Sequence, residues 1–108
     1  MNSPDESSFR PTLDETALVD NSMEIIEVEG RKIVLAKRSG KIHAFDNTCP
    51  HLGGSLGRGT LQEDHVICPL HHWTFDLSTG KCVSGLPDEK VAVHETRVEN
   101  GKILVKIV

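Results

Sequence analysis

The run CPHLGGSLGRGTLQEDHVICPLHHWTFD, residues 49–76, decides how the rest of this chain is read. It opens with Cys49-Pro50-His51 and closes on Cys68-Pro69-Leu70-His71. Each motif joins one thiol to one imidazole at short spacing. Sixteen residues, Leu52 to Ile67, separate His51 from Cys68, enough for a loop and a returning strand. Two sulfur and two nitrogen ligands suit either a tetrahedral zinc or a two-iron cluster with cysteine on one iron and histidine on the other. Structural zinc more commonly uses two cysteines spaced Cys-x2–4-Cys, so the Cys-x-His spacing is unusual for it.

Outward from this run the sequence reads as strand. Residues 23–28 are rich in β-formers, and residues 31–37 alternate around Ile33 and Leu35. The short link Glu29-Gly30-Arg31 reads as a hairpin turn between them. Ser39-Gly40 marks a second turn before the alternation of residues 41–45 through Ile42 and Ala44. Val91, Val93 and Val98 fit a later strand, and Asn100-Gly101, the strongest hairpin dipeptide, leads into residues 103–108. No stretch holds a helical period of useful length, and residues 13–19 have room for one short turn. Short strands with regular turns predict an all-β fold, a small antiparallel β-sandwich or barrel. Residues 47–87 break the rhythm. They are rich in Gly and Pro, hold all three cysteines, and carry only two strand-like pieces, residues 65–67 and 73–75. They read as an insertion into the β framework.

With 108 residues and 37% hydrophobic content, one domain with a modest core is expected. A net charge of −4 argues against a nucleic-acid partner. Residues 1–8 are polar and acidic, with neither the basic nor the apolar region of a signal peptide, and read as a flexible tail. No apolar stretch is long enough to span a bilayer, so no membrane association and a cytoplasmic location are expected. Three cysteines, an odd number without a secretory signal, favour metal ligation over a disulfide framework. Charge is segregated along the chain. Asp5, Glu6, Asp14, Glu15, Asp20, Glu24, Glu27 and Glu29 precede Arg31, Lys32, Lys37, Arg38 and Lys41, with only Arg10 among the acids. This is either an ordinary solvated surface or a polarised one that orients a charged redox partner.

The two motifs, the prolines after each cysteine, His51-Leu52-Gly53-Gly54 and the run Trp73-Thr74-Phe75-Asp76 with Thr79-Gly80-Lys81 resemble the Rieske [2Fe–2S] family. The resemblance covers residues 9–108 and implies a cluster-binding subdomain at about residues 47–87. Its closest form is the small soluble Rieske-type ferredoxin, with the small subunit of NAD(P)H nitrite reductase as a neighbour. It implies one [2Fe–2S] cluster per chain, with Cys49 and Cys68 on the inner iron and His51 and His71 on the outer one. It also implies that Gly85-Leu86-Pro87 covers the cluster. Neutral imidazoles in place of thiolates reduce the negative charge of such a cluster and raise its potential to a range of about −150 to +300 mV. High-potential members carry Ser and Tyr hydroxyls five and seven residues after the second Cys. Here those positions are Trp73 and Phe75. The extra Cys pair that braces the loops in those members falls on Gly54 and Leu70. A potential near the low end, about −150 mV, is therefore expected.

Beside His71 stands His72, where most family members have Gly. The Cys-x-x-His spacing favours His71 as the ligand. Cys82 reads as a small buried strand residue; His43, His65 and His94 read as structural or surface residues. The function implied is one-electron transfer between a reductase and a terminal oxygenase, without an independent catalytic site. The alternatives are a permanent redox subunit bound to the large subunit of an enzyme such as nitrite reductase, and a structural zinc-binding interaction module. A free-standing oxygenase would need a further mononuclear iron site, commonly two His and one carboxylate.

Overall fold

The strand Arg31–Arg38 is buried on both faces at its centre: Ile33, Val34, Leu35 and Ala36 are all 0% exposed. Alternation was visible in the sequence for Ile33 and Leu35; burial of Val34 and Ala36 requires a second layer on the opposite face. That layer is supplied by the inserted segment, and the molecule follows from this arrangement. The computed structural model describes residues 9–50, 53–70, 72–84 and 89–107.

Ten strands run in chain order: β1 (Phe9–Asp14), β2 (Ser22–Val28), β3 (Arg31–Arg38), β4 (Lys41–Asp46), β5 (Thr60–Gln62), β6 (His65–Ile67), β7 (Thr74–Asp76), β8 (Cys82–Ser84), β9 (Val93–Glu99) and β10 (Lys102–Lys106). Two single 3-10 turns, Glu15–Ala17 and Leu56–Arg58, are the only helical elements among the described residues. The fold is all-β, as expected. A six-stranded antiparallel sheet has the order β1-β10-β9-β4-β3-β2, and a four-stranded one the order β5-β6-β7-β8.

The large sheet is a framework of hairpins. Glu29-Gly30, Ser39-Gly40 and Asn100-Gly101 each have positive φ at both positions, as two-residue turns matched to strand twist require. The sheet curls until its edges approach, and Arg10 Nε on β1 lies 2.8 Å from Glu29 Oε1 just past β2. Neighbouring strands β4 and β9 are separated in sequence by residues 47–92, which carry the small sheet. The insertion therefore leaves and rejoins the framework at adjacent strands.

Each face of the framework has its own core. Ile33 and Leu35 join Leu18, Val28, Ala44, Ile103 and Val105 inside the curl. Val34, Ala36 and Phe45 face the insertion and pack with Leu56, Val66, Phe75, Leu77, Val91 and the three cysteines. Burying a side chain such as Phe45 or Phe75 contributes roughly 1.5–3 kcal/mol, so this second core fastens the insertion to the framework.

Part of the charge segregated along the sequence is paired in the fold. The β2–β3 register sets Glu27 opposite Lys32, Asp14 lies 3.0 Å from Lys102, and Arg31 bonds Asp46 at 2.9 Å. One of these pairs, Glu27 with Lys32, joins the acidic stretch to the basic one; the other two pair each stretch with residues elsewhere in the chain.

Candidate metal centre

Two loops at one end of the small sheet share a plan. In the first, which leaves β4 through Asn47, the Cys49 N–H donates to the Gly54 carbonyl at 2.8 Å and the Gly53 N–H to the Cys49 carbonyl at 2.9 Å. In the second, between β6 and β7, the Cys68 N–H donates to the Trp73 carbonyl at 2.7 Å. Each loop is thus closed by a bond from its cysteine to the residue five positions on. Pro50 and Pro69 follow the cysteines, fixing φ where no backbone donor is required. The residue before each closing carbonyl is left-handed, Gly53 at φ 73° and His72 at φ 57°.

The loops bring two reduced cysteines together below the surface. Cys49 is 2% and Cys68 1% exposed, and their thiols are within hydrogen-bonding reach. Burial pushes the Cys68 thiol up; the Leu70 N–H aimed at its sulfur opposes this, and the nearby Cys49 thiol adds to the rise. A metal inverts that situation, since a coordinating thiol is held deprotonated. Two neighbouring buried sulfurs with a backbone donor directed at one of them have the donor chemistry that a thiolate-bound metal requires, and the described residues fit such a group. His51, Leu52 and His71 lie outside the described residues, as does the Gly85-Leu86-Pro87 loop. Among the described residues no set of three His, Cys, Asp or Glu side chains converges; the thiol pair is what the described parts of the two loops bring together.

Gly54 makes the close approach of the loops feasible. A Cβ there would stand 3.0 Å from Cys68 Sγ and 3.1 and 3.2 Å from Leu70 Cδ1 and Cγ. The positions that hold the bracing Cys pair in high-potential members face one another here as a glycine and a leucine. Trp73 and Phe75 pack into the second core, Phe75 with no exposure, and neither side chain has a hydroxyl to offer the sulfurs.

Asn47 was not singled out in the sequence. It is buried, and its Oδ1 accepts from the Ser55 hydroxyl at 3.0 Å and the Gly57 N–H at 2.9 Å. Its own N–H donates to the Lys32 carbonyl and its carbonyl accepts from the Leu56 N–H. Asn47 thus pins both ends of the first loop to β3 and the 3-10 turn. Its place two residues before Cys49 was the available signal. His94, expected to be structural, is buried on β9 with Nε2 2.8 Å from Asp46 Oδ1, and Arg31 binds the same carboxylate. This group joins β3, β4 and β9 where the first loop departs. His43 is half-buried; burial and then Lys41 lower its pKa, while Asp64, Asp76 and the Leu77 carbonyl draw it the other way. Cys82 is a buried strand residue on β8, with its Sγ 3.3 Å from the Ser84 carbonyl.

Comparison with known proteins agrees with the geometry. The model of the Rieske [2Fe-2S] domain matches residues 9–100. The ferredoxin component of the alkene monooxygenase system of Xanthobacter autotrophicus is 35% identical over 91 residues, covering 82% of this chain and 72% of that protein. Among solved structures, the ferredoxin of carbazole 1,9a-dioxygenase from Nocardioides aromaticivorans superposes with a TM-score of 0.87 at 21% identity, covering 94% of this chain and 99% of that one. A chain assigned as the NADH-dependent nitrite reductase small subunit of Mycobacterium tuberculosis gives 0.85 at 24% identity, covering 93% and 95%. The chain belongs to the Rieske [2Fe-2S] family. Its cofactor is a Rieske-type [2Fe–2S] cluster.

Proposed function

We propose that this chain is a Rieske-type ferredoxin that carries single electrons from a reductase to a terminal oxygenase and has no catalytic site of its own. The buried thiol pair beneath an uncharged tip carries the reading. Of the three charged residues in the segment from Cys49 to Phe75, Glu63 and Asp64 stand in the β5–β6 turn, at the opposite end of the small sheet from the loops, and Arg58 ends the 3-10 turn that follows the first loop. Thr48, Pro50, Gly53, Pro69, Leu70 and His72 are the exposed described residues of the loops, and none carries a fixed charge. Such a surface favours a small, transient contact that releases its partner after transfer. The similarity to a ferredoxin component of a monooxygenase system supports the choice of partners.

In this reading Cys49 and Cys68 hold the inner iron and His51 and His71 the outer one. The cluster supplies a one-electron couple. The chain's own residues bury the sulfurs, direct the Leu70 N–H at Cys68, and hold the loops in register through Asn47 and Gly54. With no hydroxyl at Trp73 or Phe75, the potential lies near the low end of the Rieske range, about −150 mV. Residues of about 47–87 act as the cluster-binding unit on a framework within residues 9–108. Among the described residues no helix is long and apolar enough to cross a membrane, and a cytoplasmic setting suits the reduced cysteines.

The test is iron and sulfide content in Cys49→Ser, His51→Ala, Cys68→Ser and His71→Ala variants, with His72→Ala and Cys82→Ser as controls. The first four are expected to lose the cluster and the controls to keep it. A His71→Ala protein that keeps it while His72→Ala loses it would exchange their roles. The likeness to a nitrite reductase small subunit favours a second reading, a permanent redox subunit. Purification at native abundance separates the two: a carrier elutes alone, a subunit with its large partner.

A further inference from the structure

The two ligand loops differ at one equivalent position. Each needs a left-handed residue just before its closing carbonyl. The first loop supplies Gly53 at φ 73° and the second supplies His72 at φ 57°. An L side chain adopts this conformation at an energetic cost that glycine avoids. The other left-handed residues with side chains, Asn21, Glu29, Ser39, Glu63 and Asn100, sit in turns between strands. His72 is the one among the described residues that stands in a ligand loop.

Nothing described within the molecule compensates for that conformation. The His72 side chain has no hydrogen-bond partner among the described residues. Its carbonyl accepts from Thr74 Oγ1 at 3.3 Å, a bond that glycine would make equally well. The residue is exposed. Beside it lie Pro69, exposed, and Leu70, 45% exposed. On the exposed, described part of the second loop the imidazole is the one side chain able to make a directional polar bond; Pro69 and Leu70 have none to offer.

We infer that His72 is a partner-recognition residue: its imidazole N–H donates to an acceptor oxygen, a carboxylate or a carbonyl, on the electron-accepting protein, beside an apolar contact made by Pro69 and Leu70. Local backbone strain is retained at this position because the partner contact offsets it. A partner that fits presents an apolar patch flanked by an acceptor oxygen. The residue acts in recognition and not in holding the cluster. The inference rests on the electron-carrier reading above.

The test compares wild type with His72→Gly and His72→Asn. Glycine relieves the backbone, and asparagine tolerates it while keeping a donor. Each reduced protein is mixed by stopped flow with the oxidised terminal oxygenase of the same host, and the second-order rate constant is measured. The reduced EPR spectrum, potential and Tm are recorded in parallel. His72→Gly is expected to raise Tm by a few degrees, leave spectrum and potential unchanged, and lower the rate constant about tenfold, the effect of one lost hydrogen bond. His72→Asn is expected to restore most of the rate. A His72→Gly protein that transfers electrons at the wild-type rate overturns the inference and leaves the carrier reading intact. A changed spectrum or lost cluster in that variant also overturns it, because His72 would then serve the cluster itself. Wild-type protein that passes no electron to the oxygenase defeats the carrier reading, and the inference falls with it.

Discussion

The framework sheet uses its hairpin glycines for backbone direction alone, whereas the insertion, apart from Gly53 in the first ligand loop, uses glycine where space is short. In the framework, Gly30, Gly40 and Gly101 stand in hairpin turns with nothing within 4 Å of where a Cβ would lie; they are there for backbone direction. In the insertion, Gly54, Gly57, Gly59 and Gly80 are crowded by sulfur, side chain or carbonyl oxygen; they are there because another part of the chain needs the space. One region is built on the local hairpins β2–β3–β4 and β9–β10, joined by the long-range pairs β1–β10 and β4–β9. The other is short strands and loops whose parts support one another and, with the framework, converge on a pair of sulfurs.

The contrast can be broken most severely at Gly59. A Cβ there would lie 2.0 Å from the Ile67 carbonyl oxygen, and backbone atoms cannot yield as a side-chain tip can. Gly59→Ala is expected to destabilise the protein by about 3 kcal/mol and to lose cluster absorbance before the framework melts, as seen by visible absorption and far-UV circular dichroism on one sample. Coincident loss of both signals would mean that the two sheets unfold as one unit.

A smaller effect is expected at Gly54, where the added methyl meets the Cys68 sulfur and Leu70 at 3.0–3.2 Å. Gly54→Ala should cost about 1–2 kcal/mol and alter the EPR line shape of the reduced protein by moving one loop against the other. Gly101→Ala sharpens the comparison from the framework side. Only its left-handed backbone is at issue, at φ 79°, so a loss of about 1 kcal/mol by thermal melting is expected, with the cluster spectrum unchanged.

The least effect concerns Asp76, which caps the β7–β8 turn. Burial raises its pKa, but the N–H groups of Thr79 and Ser78, the Thr79 hydroxyl and His65 outweigh this and hold the carboxyl below the ordinary value of 3.8. A depressed carboxyl contributes stability that is present above the unfolded-state pKa and disappears as pH falls through the folded-state value. Asp76→Asn should therefore lose about 1 kcal/mol or less at pH 7. Its stability should fall less steeply than that of wild type below about pH 4. Parallel melting curves of the two proteins from neutral to acid pH would exclude this role.

The legible parts of the sequence were those whose signal is local. Thiol and imidazole spacing marked both loops, and hairpin dipeptides with alternation marked β2, β3, β4 and β10. β1 was not legible, since Phe9–Asp14 holds Pro11 and no clean alternation; it is an edge strand held by pairing with β10. β5 and β8, at three residues each, are too short to show a period. The burial of Val34 and Ala36, the anchoring by Asn47 and the left-handed backbone of His72 all arise when distant segments meet. The same is true of the His94–Asp46–Arg31 group. An insertion at about residues 47–87 was expected from the break in rhythm; that residues 47–92, between the paired strands β4 and β9, complete the framework's second core has no local signal.

The central claim is that the sulfurs of Cys49 and Cys68, together with two imidazoles, hold a two-iron cluster. Its most direct test is an anaerobic EPR spectrum of the dithionite-reduced protein, with iron, zinc and sulfide assayed on the same sample. A rhombic signal with average g below the free-electron value, and two irons and two sulfides per chain, is the predicted result. One zinc per chain, no sulfide and no signal, in protein made under iron-replete, oxygen-free conditions, would contradict it.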